Sequence, residues 1–118
     1  MLQKILRSRV PALLWLSLIT VLFLLPGSAL PKDDMFIPHF DKWVHFGFFT
    51  VLLFLFRALW EPSRKYSTLL LLLAFVYGFG IEVIQHYFIA NRSFDLGDVL
   101  ADMTGAVAGI LLWWYIKK

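Results

Sequence analysis

Apolar residues run nearly unbroken over four stretches of the chain, at about 10–25, 43–60, 67–90 and 98–116. Each holds roughly 16–24 residues, which at about 1.5 Å of helical rise approaches or exceeds the span of a hydrocarbon layer roughly 30 Å thick. Lys4, Arg7 and Arg9 precede the first stretch and Pro26-Gly27 ends it. The pattern predicts an all-α, polytopic membrane protein with four transmembrane helices in one domain covering residues 1–118.

A second pattern lies inside the first. From Glu82 to Asp102 the chain places Glu82, Gln85, His86, Arg92, Asp95, Asp98 and Asp102 between, or just inside, the last two apolar stretches. An ionisable group near the middle of a spanning helix costs roughly 2.5–3.5 kcal/mol on insertion scales, and such groups usually face a bundle interior or a wet cavity. Several at the same end of their helices predict one polar pocket at one membrane surface. Helical spacing supports this. Asp41 and His45 share a face, Gly78, Glu82, Gln85 and His86 form one stripe, and Asp98, Asp102, Gly105 and Gly109 form another. Gly105 and Gly109 make a GxxxG pair, which admits a neighbouring backbone, so the acids above it should face the same neighbour. The short loop 91–97 ties the last two helices into an antiparallel hairpin. Arg92 in it can bridge Glu82, Asp95 or Asp98 with forked hydrogen bonds, and Asp95 or Asp98 suits the positive N-terminal turn of the last helix.

Composition removes other classes. With 60% hydrophobic and 16% charged residues among 118, and a mean hydropathy of +0.75, the chain is not read as a soluble domain. The absence of cysteine excludes disulfides, thiol nucleophiles and thiolate metal sites. A net charge of +3 with pI near 9.4 is read as membrane orientation and not as nucleic-acid binding. With the N-terminus inside, Lys4, Arg7, Arg9, Arg57, Arg64, Lys65, Lys117 and Lys118 are cytoplasmic, and only Lys32, Lys42 and Arg92 lie outside. Both termini are then cytoplasmic and the polar pocket faces outward. Trp60 and Trp113-Trp114-Tyr115 fall at the inner interface, Trp43 at the outer one, and Arg57 snorkels to the cytoplasmic side. Met35-Phe36-Ile37-Pro38 reads as an amphipathic stretch on the outer leaflet. A competing reading of the start is a cleavable signal, with Gly27-Ser28-Ala29 before the cut, which would leave three spans.

The order Phe40-Asp41-Lys42-x-x-His45-Phe46, Glu82-x-x-Gln85, Arg92-x-x-Asp95-x-x-Asp98 and then a glycine pair resembles the VanZ-like family of small bacterial membrane proteins. The resemblance covers about residues 40–109. It implies a cell-envelope protein associated with low-level resistance to the lipoglycopeptide teicoplanin, acting without altering the peptidoglycan precursor terminus. It brings no catalytic activity with it. The family pattern has asparagine where this chain has Asp102, and the added carboxylate bears on the pocket's protonation and ion preference.

Three functional readings follow, beside a purely structural one in which the polar groups only fix helix register. In the leading reading the pocket binds an amphiphile: a membrane lipid headgroup, a lipid-linked wall intermediate or a lipoglycopeptide. Its residues are Asp41, Lys42, His45, Glu82, Gln85, Arg92, Asp95, Asp98 and Asp102. An enzyme reading uses Glu82, Asp98 and His45 for acid–base or metal-assisted chemistry on a lipid substrate. A metal reading rests on His45, Glu82, His86 and Asp98, with Glu82 and His86 at i, i+4, and possible help from His39. No cofactor is expected, and the glycine pair leaves a homo-oligomer open. His86 and His39 are read as interfacial histidines facing water.

Overall fold

A computed structural model of the chain describes residues 8–25, 40–59, 63–89 and 96–117, without the side chains of Phe40, Asp41 and Lys117. The described residues form four helices: α1 (Arg9–Phe23), α2 (Phe40–Arg57), α3 (Arg64–Phe88) and α4 (Leu96–Lys117). Each begins slightly before the apolar run that marks it; in α2 and α3 the first turn holds the polar Asp41-Lys42 and Arg64-Lys65. Ser8 caps α1 by accepting from the Val10 N–H at 3.2 Å, and Pro11 sits in the first turn, where a missing N–H costs nothing. Ser63 caps α3 by accepting from the Tyr66 N–H at 3.2 Å. Asp98 lies in the first turn of α4, where the helix dipole favours an anion.

Packing is closest between α2 and α4, and glycine is the reason. A methyl group added at Gly105 would collide with the Phe46 carbonyl oxygen, and one added at Gly109 with that of Thr50. The GxxxG pair is therefore used within the chain, against α2. Since Asp98 and Asp102 lie on the same stripe, the acids face α2 as well.

The buried face of α3 runs through Ser67, Leu70, Ala74, Gly78, Ile81, Glu82 and Gln85. With Ile19, Phe49, Leu52 and Ala106 it encloses an apolar middle layer. α1 closes the bundle with three polar ties to the other helices. Trp15 Nε1 donates to the Phe48 carbonyl at 3.0 Å, and Gln85 Nε2 donates to the Phe23 carbonyl at 2.7 Å. The Thr20 hydroxyl donates to Leu16 O at 2.7 Å, so its 2.5 Å contact with Tyr77 has the tyrosine as donor.

The outside is apolar. Leu13, Leu14, Leu18, Leu72, Val76 and Leu111 are among many large apolar side chains that face outward, the arrangement lipid requires and water penalises. Two helices, α3 and α4, are long and apolar enough to cross a membrane. The expectation of four such spans is not met by that measure among the described residues. α1 has fifteen residues, and α2 carries Asp41, Lys42 and Arg57 within its eighteen.

At the α2–α3 turn the structure corrects the expectation for Arg57. Its side chain turns inward and is fully buried. Nε donates to Ser67 Oγ at 2.8 Å, and the guanidinium lies 4.1 Å from the Trp113 ring centroid, with Tyr66 and Trp114 at 5.1 and 5.2 Å. A planar cation is accommodated by aromatic faces and serine oxygens without reaching water. Trp113 is accordingly buried and Trp114 half-buried, so they hold this arginine instead of forming an interfacial belt, while Tyr115 and Trp43 face outward.

Candidate functional site

Three helices each contribute two polar side chains at the same end of the bundle: Lys42 and His45 from α2, Glu82 and Gln85 from α3, Asp98 and Asp102 from α4. Each pair is spaced three or four residues apart, so each projects from one helical face. His45, Glu82, Gln85, Asp98 and Asp102 are buried, and Lys42, with 30% of its side chain exposed, is the member that reaches outward.

The imidazole of His45 is the centre. Its Nδ1 lies 2.7 Å from Asp102 Oδ1, and its Nε2 lies 3.6 Å from Asp98 Oδ2. The 2.7 Å contact with Asp102 orients the ring and turns Nε2 toward Asp98. The Phe23 ring, from the end of α1, stacks on the imidazole at 4.8 Å and 22°, closing that side with apolar surface. Gly78 makes room for the second oxygen of Asp102: a methyl there would stand 2.7 Å from Oδ2. Lys42 Nζ reaches Asp98 Oδ1 at 3.3 Å. Glu82 is fully buried beside His45 and Asp98. One ligand atom from each of His45, Glu82 and Asp98 can be chosen so that all lie within 4.8 Å of one another.

Of the residues singled out from the chain, Lys42, His45, Glu82, Gln85, Asp98 and Asp102 gather at this end. Gln85 is turned to the Phe23 carbonyl and ties α1 in place. His86 does not join them. It is exposed, with its ring against Tyr87 at 4.7 Å. The buried face of α3 is centred on the Gly78–Gln85 line, and one further residue, about 100° round the helix, leaves that face. The His86 part of the metal set is thereby corrected. Arg92, Asp95, His39 and the stretch 35–38 lie outside the described residues, as does the side chain of Asp41. Phe23 was not among the candidates from sequence. Its one signal is an aromatic residue at the pocket end of the first apolar run.

An apolar-faced helical bundle with charged groups buried at one end, and two helices long enough to span, defines a helical membrane protein organised around a polar site. The chain belongs to the VanZ/LLP1 family, whose model matches residues 4–117. It is also 34% identical over 108 residues to the uncharacterized protein C11E3.10 of Schizosaccharomyces pombe. That match covers 90% of this chain and 63% of the fungal protein, so the chain spans less than two thirds of that relative's length. No solved structure matches the chain.

Proposed function

We propose that this VanZ/LLP1 chain is a four-span protein of the bacterial cytoplasmic membrane, with both termini inside. Its polar cluster opens at the outer face and binds the polar head of an amphiphile. The observation that carries this reading is the burial of five polar side chains, His45, Glu82, Gln85, Asp98 and Asp102, at one end of the bundle, with the half-buried Lys42 leading out of it. The excess of lysine and arginine toward the opposite end supports the outward direction. The ties through Trp15, Thr20, Phe23 and Gln85 support α1 as a retained helix and not a cleaved signal.

Lys42 and His45, with Arg92 in the adjoining loop, supply cationic and donor groups for an anionic headgroup. Glu82, Asp98 and Asp102 orient it and balance the charge. The relative in a fungus, whose envelope has no peptidoglycan, favours a membrane phospholipid over a lipid-linked wall intermediate. Teicoplanin, an amphiphile itself, is the lipoglycopeptide expected to meet this site at the cell envelope, and resistance follows from that encounter.

The test is teicoplanin susceptibility of cells expressing the wild type, Glu82→Gln or Arg92→Ala, with membrane protein levels measured in parallel. Protection lost at equal protein level supports the pocket as the working part. Protection that falls only in step with protein level assigns the cluster to folding. No protection from the wild type removes resistance from the reading. Added phospholipid should raise the unfolding temperature of the purified chain without being converted over time, whereas an acid–base enzyme would convert it.

A further inference from the structure

We propose that His45, Glu82 and Asp98 bind one zinc(II) ion, with Asp102 as the residue that positions the imidazole. The three residues come from three different helices, all are buried, and their ligand atoms lie within 4.8 Å of one another.

The first reason is the His45–Asp98 spacing. At 3.6 Å, Nε2 and Oδ2 are too far apart for a hydrogen bond, which needs about 2.7–3.2 Å between an N–H and an oxygen. Two donors on a tetrahedral ion with bonds of about 2.0–2.2 Å stand roughly 3.3–3.6 Å apart, so this pair is already at ligand–ligand spacing. The second reason is the outer contact. Asp102 holds Nδ1 at 2.7 Å, which turns Nε2, the nitrogen left to ligate, toward the cluster. A carboxylate on the far nitrogen is the usual support for a histidine that binds metal, because it selects the tautomer and makes the ligating nitrogen more basic. Gly78 provides the space in which that carboxylate sits, and Phe23 holds the ring from its face.

The donor set selects the ion. One imidazole nitrogen with two carboxylates suits zinc, whereas calcium and magnesium prefer oxygen ligands throughout. Two carboxylates also neutralise a divalent charge, which a low-dielectric site requires. Three protein ligands leave a fourth position, as in zinc sites that admit water or a further ligand. The site does not depend on the amphiphile reading, and its test uses the metal alone.

The full chain, purified in detergent and stripped with chelator, is titrated with zinc(II), and with cobalt(II) as a visible stand-in. About one ion per chain is expected, with the strong visible bands of a four- or five-coordinate cobalt site. Asp98→Asn and Glu82→Gln should abolish those bands, and Asp102→Ala should weaken binding about 10–100-fold while keeping them. His86→Ala, outside the cluster, should bind as the wild type does. Circular dichroism on each variant separates lost binding from lost folding. One measurement needs no change to the cluster. In His39→Ala/His86→Ala, which leaves His45 as the sole histidine of the three, pulsed EPR with one equivalent of copper(II) should report a coordinated imidazole. A folded wild type that takes up no zinc, cobalt binding that is unchanged in folded Asp98→Asn and Glu82→Gln, or no imidazole signal overturns the proposal.

Discussion

Gly105 offers the sharpest test of how the bundle is held. Its Cα faces the backbone of α2, and the Cβ of an alanine would overlap the Phe46 carbonyl oxygen. A side chain could rotate away, but a helical backbone moves only as a unit, so α2 and α4 must separate along their shared face. Overpacking of this kind costs about 1–3 kcal/mol, while Gly→Ala in a helix returns up to about 1 kcal/mol of propensity. With the full propensity gain the expected net loss is up to about 2 kcal/mol. Gly47, on α2, has nothing within 4 Å of its own added Cβ. The same substitution there should be neutral or stabilising by up to about 1 kcal/mol. Two Gly→Ala changes on facing helices share the propensity gain and should thus differ by the overpacking cost, about 1–3 kcal/mol, in reversible unfolding from mixed detergent micelles, followed by circular dichroism. His45 directly precedes Phe46, so Gly105→Ala should also pull the imidazole from Asp102. Equal stabilities of Gly105→Ala and Gly47→Ala would refute the account of a glycine-dependent backbone contact.

Other expectations concern the two ends of the bundle. Arg57→Lys should cost roughly 2 kcal/mol in the same assay, because an ammonium cannot keep both the Ser67 hydrogen bond and the planar contact with Trp113; tryptophan fluorescence should shift with it. Gln85→Leu removes the donor to the Phe23 carbonyl and should cost about 1 kcal/mol. Limited proteolysis should then release α1 more readily than from the wild type. The chain has no cysteine, so single cysteines introduced at Lys42 and Lys65 give a direct topology test. An impermeant maleimide should label the first from outside intact cells and the second only after permeabilisation, and the reverse pattern would invert the proposed orientation.

Much of this architecture was legible because membranes impose long apolar runs and make interior charge expensive. The four helices follow from the runs, and the polar end from carboxylates and a histidine placed just inside them. The spacing of Asp98, Asp102, Gly105 and Gly109 placed acids and glycines on one stripe, since 3.6-residue periodicity is local and needs no knowledge of the partner. Helix starts were less legible, because the polar first turns of α2 and α3 do not read as apolar.

By itself, then, the sequence determined the helical class, the family, the polar end and the faces carrying its groups, all of which depend on local periodicity and on the cost of charge in an apolar medium. Only the tertiary structure decided which faces meet. It assigned the glycine pair to α2, drew Phe23 over His45, and directed Nδ1 to Asp102 and Nε2 toward Asp98. It also left His86 outside and turned Arg57 inward between Ser67 and Trp113. The physical reason is that a residue's face on its helix is a local property, whereas its partner depends on how several helices rotate and cross. Arg57 makes the point: from its own position near a helix end it should snorkel, and only α3 and α4 together supply the oxygens and aromatic rings that keep it inside.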